Sequence, residues 1–324
     1  KDNGIVFPGA MVASSVIINF LSNINKYIKL KKYNFHFVYI FSLIIFIFYK
    51  MNRYSEYGND APSHFLLFIL VSEIIKNYSS ATFKEFSNYM ILSIFIVMNK
   101  IILLISIIFP IVLLLRKIKV KIISFKTIFL LSFGIIWVMK NILVSGCFLY
   151  PVEISCIDKF SWTNKAEARS VSIENEAWAK GWPDYRGENN KVSQTEYSKN
   201  FFWLKYWSKN HFFKIVNILI PYLLFLFLIF FTFKFKFRKN NIIKFEIYLI
   251  FFSFLGCLLW FLKVPVFRYG YSYLIIFISL IFSYVSMNFS FKDYSNKIFT
   301  TVVFLGIAIF TLKNLHRIVI ENYN

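Results

Sequence analysis

The sequence predicts an all-α fold: a polytopic transmembrane helix bundle of about eight spans with one folded external loop. Three observations predict it. Hydrophobic residues make up 58% of the 324 residues and aromatics 21%, well above the balance of a soluble domain. The apolar runs are long enough to cross a bilayer, which takes about 20 residues at about 1.5 Å each. Short lysine-rich links alternate with links that are not lysine-rich, as expected of a chain threading back and forth under the positive-inside rule. No strand-type alternation points to a barrel, and lipid requires internally bonded backbone.

The first span is expected over 5–22, followed by a link, 25–33, that carries Lys26, Lys29, Lys31 and Lys32. The second, 34–49, is short, and Tyr49 with Lys50 can extend it by snorkelling. Residues 50–89 then lie outside. Within them HFLLFILVSEIIK (64–76) is 13 residues long and interrupted by Glu73, so it reads as a helix lying on the outer surface. The third span, 90–114, holds Asn99 and Lys100 near its middle, where an ammonium is costly and marks a functional or paired site. Its basic link carries Arg116, Lys117, Lys119, Lys121 and Lys126.

The fourth span, 125–144, holds Lys140 and Asn141 near its end. The remaining spans are expected over 213–233, 247–262, 271–287 and 298–312. Links 234–246 (Lys234, Lys236, Arg238, Lys239, Lys244) and 288–297 (Lys292, Lys297) are basic, and 263–270 is not dominated by lysine. All basic links fall on one side, predicted cytoplasmic; 50–89, 145–212 and 263–270 fall outside. The chain thus divides into helices 1–144, an external loop 145–212, and helices 213–324. It opens on Lys1 with no signal-peptide pattern before the first apolar run, so it is expected to be a fragment whose beginning is missing.

The net charge of +21 would suggest nucleic acid in a soluble protein. Here 30 of the 37 cations are Lys and they sit in links between apolar runs. The bilayer is the expected partner, and nucleic acid is not.

The segment RYSEYGNDAPSHFLLF packs Arg53, Glu56, Asp60 and His64 beside the membrane. Asp60 reads as a general base or metal ligand, with Glu56 nearby and His64 one helical turn on, placed to act on an acceptor hydroxyl. The plainer reading has Asn59 or Asp60 capping the 64–76 helix, with Pro62 in its first turn. In KVPVFRYGYSYL, Arg268 can bind phosphate bidentately; alternatively it is an interfacial cation in an aromatic belt of Phe267, Tyr269, Tyr271 and Tyr273. Arg53 and Lys100 are the other cations placed for a lipid phosphate.

The 145–212 island holds eight of the sixteen acids and five of the seven tryptophans. Trp162, Trp178 and Trp182, with Glu174 and Glu176, form either a sugar-binding surface or the small core of the loop. Trp203 and Trp207 precede a span and read as interfacial anchors. Cys147 and Cys156 can bridge outside the cytoplasm; Cys257 reads as a buried apolar residue. There is no Walker loop, GxSxG, HExxH or paired CxxC, and the four histidines lack zinc spacing. No cofactor is certain, and a divalent ion at Asp60 stays open.

The stretches RYSEYGNDAPSH (53–64), YPVEISCIDKFSW (150–162), ENEAWAKGWP (174–183) and PVFRYGYSYL (265–274) resemble a family of uncharacterised bacterial polytopic membrane proteins. That family is associated with surface-polysaccharide genes and resembles the GT-C class of membrane glycosyltransferases. The resemblance implies a lipid-phosphate sugar donor, Asp60 as the acid of an external loop, and Arg268 as the phosphate ligand. The expected function is therefore glycosyl transfer from a polyprenyl-phosphate-linked sugar, on the outer face of the bacterial cytoplasmic membrane. The alternatives are an O-antigen-type polymerase or ligase, and a transporter or flippase of a lipid-linked glycan.

Overall fold

The computed structural model describes residues 3–50, 60–116, 125–188, 192–230, 233–234, 244–291 and 295–321. It is built of helices: α1 (Asn3–Lys29), α2 (Phe35–Lys50), α3 (Asp60–Asn77), α4 (Phe83–Asn99), α5 (Ile108–Ile111) and α6 (Phe125–Ser145) precede the island. The island contains α7 (Lys165–Ala179), α8 (Trp182–Glu188), α9 (Gln194–Lys199) and α10 (Trp203–Trp207), and α11 (Phe213–Phe230), α12 (Lys244–Lys263), α13 (Phe267–Ser286) and α14 (Ser295–Glu321) follow. A two-residue antiparallel ladder joins β1 (Phe233–Lys234) to β2 (Ser290–Phe291).

Four helical stretches among the described residues are long and apolar enough to cross a membrane: Trp203–Phe230, Phe245–Lys263, Phe267–Ser286 and Ser295–Lys313. The eight spans expected from sequence are not matched. Phe35–Lys50, Ile101–Leu115 and Ser132–Ser145 are apolar but short, and the long α1 is interrupted by polar residues such as Asn19 and Asn23, which bond to each other.

The run expected as a single span over 90–114 is bent. α4 stops at Asn99, and Lys100 takes an extended backbone (φ −151°, ψ 99°). A 3-10 helix, Ile101–Ile107, then leads into α5 and a further 3-10 turn, Val112–Arg116. Ser106 Oγ donates to Ser93 O at 3.3 Å. In a straight α-helix those residues would stand about 20 Å apart, so the run folds back on itself. The bend takes Lys100 from the middle of an apolar run to its tip, which answers the energetic objection to a mid-membrane ammonium.

Residues 64–76 depart from the expectation in the same way. They form most of α3, and Phe65, Leu67, Phe68, Leu70, Val71 and Ile74 are fully buried against α1, α2, α4 and α13. A helix lying at a surface would be covered along one side only; this one is covered around most of its circumference, with Leu66, Ile69, Glu73 and Lys76 leaving one partly exposed stripe. Its C-terminal end meets the start of α12, where Tyr78 stacks on Phe245 at 3.9 Å between centroids. Its N-terminal end meets the start of α13. α3 and α4 therefore form an additional pair of passes between the two ends of the bundle. Because the pair leaves and returns at one end, the described helix ends that flank the links at 25–33, 115–126, 234–246 and 288–297 still share the other end.

α12 and α13 form a tight hairpin. A Cβ on Gly270 would lie 2.2 Å from the Trp260 ring, and one on Gly256 would lie 2.3 Å from Tyr273, so glycine is what lets the two helices close. The hairpin loop is pinned by Trp260 Nε1, which donates to Val266 O at 2.9 Å.

Candidate functional site at the island end of the bundle

Three sequence-selected residues from three segments meet where α3, α4 and α13 converge. His64 lies in the second turn of α3 and is fully buried. Its Nε2 lies 2.9 Å from Arg268 O, and its Nδ1 lies 2.6 Å from Ser272 Oγ. A carbonyl oxygen only accepts, so Nε2 carries a proton and Nδ1 faces the Ser272 hydroxyl. Arg268 and Ser272 stand four residues apart on α13 and share a face, which presents both to the one imidazole.

Lys100, brought in by the bend after α4, donates its Nζ to the same Arg268 carbonyl at 3.2 Å. Its ammonium lies 4.9 Å from the centroid of Tyr269, and the Arg268 guanidinium lies 4.7 Å from that centroid. Arg268 Nη2 also donates to Tyr269 Oη at 2.5 Å. Two cations are thus gathered on one aromatic ring, whose negative face attracts both. The Tyr271 ring lies 4.0 Å from His64 and completes the packing.

The aromatic belt expected around Arg268 is corrected by this geometry. Tyr271 and Tyr273 are buried, and Tyr273 Oη donates to Ile102 O at 3.3 Å. They face the bundle interior rather than its rim. Asp60 is the first residue of α3, four residues before His64, and its side chain lies outside the described residues. Arg53 and Glu56 also lie outside them. Among the described residues no group of three or more His, Cys, Asp or Glu is placed to hold a metal.

The island packs on the loop that leads into Arg268. Trp207 Nε1 donates to Pro265 O at 2.6 Å, and Trp203 and Trp207 pack on Phe261 at 5.3 and 5.2 Å. Both tryptophans are buried, so they fasten the island to the bundle. Glu176 bridges the two parts: Oε1 accepts from Lys180 Nζ at 2.6 Å, and Oε2 accepts from Lys263 Nζ at 3.0 Å. Lys180 is 3% exposed. Burial lowers its pKa, with the Glu176 carboxylate opposing. It also donates to Ser198 O at 3.1 Å and lies 5.0 Å from the Trp203 ring.

The three informative tryptophans play different parts. Trp182 packs with Tyr185 and Tyr197 in the island's aromatic core. Trp162 stacks on Phe160 and donates to Ile142 O at 3.0 Å, tying the island to the end of α6. Trp178 is 51% exposed and, with exposed Glu174, remains the sugar-facing candidate. Cys147 and Cys156 are joined by a disulfide at the island's start, where the flanking backbone bonds through Phe148 N to Ser155 O and Ile157 N to Gly146 O.

Sequence reasoning missed Ser272, the latch made by Lys180 and Lys263, and the docking role of Trp207. The spacing of Ser272 from Arg268 was the available signal for the first. The others depend on contacts between segments far apart in the chain.

A family described as a domain of unknown function, DUF8201, matches residues 8–275. The chain belongs to this family. His64, Lys100, Arg268 and Ser272 all fall within the matched range of the DUF8201 chain, whereas α14 falls beyond it. No curated protein and no solved structure matches the chain.

Proposed function

We propose that this DUF8201 chain is an integral membrane glycosyltransferase-like protein of surface-polysaccharide or glycolipid biogenesis. It takes a polyprenyl-phosphate-linked sugar at the island end of the bundle, on the extracytoplasmic side of a bacterial cytoplasmic membrane. One observation supports this reading above the others: Lys100 and Arg268, 168 residues apart in the chain, meet beside Tyr269 and His64. Paired cations at the end of a membrane bundle suit the spread charge of a lipid phosphate.

In this reading Asp60 accepts the proton of the acceptor hydroxyl as its oxygen attacks the anomeric carbon. The bond to the donor phosphate breaks, and the polyprenyl phosphate leaves with the electron pair, its charge stabilised by Lys100 and Arg268. His64 fixes the Arg268 backbone against α3 and so positions the guanidinium. Arg53 and Glu56, just before α3, are the further candidates for donor binding and proton transfer. Trp178 and Glu174 offer an exposed ring and carboxylate to an acceptor sugar.

The test is transfer of a labelled sugar from a polyprenyl-phosphate donor in vesicles containing the full chain. Asp60→Asn and Lys100→Met are each expected to abolish it. Full transfer in Asp60→Asn would remove Asp60 from the base role, and full transfer in both Lys100→Met and Arg268→Ala would sink the donor-binding assignment. Movement of the intact lipid-linked sugar with no new glycosidic bond would make the chain a transporter.

A further inference from the structure

On the opposite face of α2 from Tyr271 lies a cavity of about 210 Å³ between α2, α11 and α14. Its walls include Ile45 and Phe48 from α2, Phe225 from α11, and Val302, Leu305 and Ile309 from α14. No residue of the Lys100–Arg268 site lines it. Such a space repels water, which needs polar partners to reside in it, and gains dispersion contacts from any hydrocarbon that enters.

The cavity has two different ends. Towards the basic links, the β1–β2 ladder ties the chain leaving α11 to the chain entering α14. Towards the island, Tyr49 lines the mouth and Lys313 sits upon it. Lys313 Nζ donates to Tyr49 O at 2.6 Å and lies 5.0 Å from the centroid of the Tyr49 ring. An ammonium has three N–H groups, so the bond to Tyr49 does not exhaust its donor capacity. Gly306 lets α14 close on α2 just here: a Cβ on it would meet the Phe48 ring at 2.7 Å. α14 is otherwise thinly packed, with 11% of its apolar window buried, so what fills the cavity also decides how firmly α14 is held.

We propose that this cavity binds one acyl chain of an anionic glycerophospholipid, with Lys313 holding the phosphate at its mouth. The choice of an anionic lipid rests on the cation at the mouth of an otherwise apolar cavity. The bound lipid acts as a wedge that seats α14 on α2 and α11. It stands independently of the glycosyl-transfer reading, because the lining belongs to other residues.

The experiment uses the full chain, purified in detergent and offered phosphatidylglycerol or phosphatidylcholine with identical acyl chains. Native mass spectrometry reads how many lipids survive activation. The wild type is expected to keep one lipid and to prefer phosphatidylglycerol by about fivefold, the scale of one lysine near an anionic headgroup. Lys313→Gln is expected to bring that preference close to one. Leu305→Trp, which fills the cavity, is expected to lose the retained lipid, whereas Leu305→Ala, which widens it, keeps it. An undiminished preference in Lys313→Gln, or a lipid retained by Leu305→Trp, would overturn the proposal. Loss of lipid from both Leu305 variants would also overturn it, since filling and widening must differ. Retention of a polyprenyl phosphate in preference to phosphatidylglycerol would replace the acyl chain with an isoprenoid.

Discussion

Two buried histidines stand at opposite ends of the bundle, and they are made alike up to a point. His36, near the start of α2, has Nε2 at 2.8 Å from Ser72 Oγ and Nδ1 at 2.9 Å from Tyr27 Oη. His64 has a serine hydroxyl at 2.6 Å and a backbone carbonyl at 2.9 Å. Each therefore clamps its helix to its neighbours through a serine on another helix. The second partner is what differs. A tyrosine hydroxyl can donate or accept a hydrogen bond, so it suits either face of the ring, and the His36 cluster is a brace between α1, α2 and α3. The Arg268 carbonyl only accepts, and it is shared with the Lys100 ammonium on a ring that also carries the Arg268 guanidinium. A buried histidine by itself is packing; the one that shares an acceptor with a cation from a distant segment is the one on which the proposed site rests.

The sharpest way to break that contrast is to remove each ring in turn. His64→Ala is expected to lower sugar transfer by about 100-fold or more, in the range seen when a positioning or electrostatic group is lost. His36→Ala is expected to leave transfer per folded molecule within about threefold of the wild type. Equal losses in the two variants would reduce His64 to a brace like His36. Both substitutions strand buried polar partners, so each should cost about 2–4 kcal/mol of stability, read as a lowered unfolding midpoint in detergent.

Next in size is the island latch. Glu176→Gln removes the carboxylate that Lys180 and Lys263 share, leaving a nearly buried ammonium with no counter-charge beside the Ser198 carbonyl and the Trp203 ring. A destabilisation of about 3 kcal/mol is expected. It should appear as faster hydrogen exchange in the island and in 263–272, with none around His36 and Ser72. Exchange that rises equally at both ends would show that the island is not coupled to the His64 end in particular.

The Cys147–Cys156 bridge closes a short loop, and Cys147→Ser is expected to cost about 2–3 kcal/mol, confined to the island's first segment. Limited proteolysis between Ser145 and Asn164 reports it. The smallest effect belongs to Trp178→Ala, which should change stability by less than about 0.5 kcal/mol because the ring is half exposed. That makes it the clean probe of acceptor binding: a rise in acceptor KM with kcat unchanged supports sugar contact, and unchanged kinetics refute it.

Much of this architecture was legible in the chain. Periodic apolar runs foretold helices and a water-loving island between residues 145 and 212, because hydropathy is a property of short segments. The same patterns singled out His64, Lys100 and Arg268 as costly or unusual side chains. What composition could not reveal was the path between them. An apolar run of 25 residues at 90–114 is long enough to cross, and nothing local announces that the backbone turns extended at Lys100 and folds back. A 13-residue stretch at 64–76 looks like a surface helix until α1, α2, α4 and α13 pack against it. Only tertiary packing decides those points. The cost of burying an ammonium, and the gain from covering most of α3, are paid or recovered by contacts with residues far away in sequence. The sequence by itself determined which side chains needed special surroundings, and the fold decided that three of them would share one.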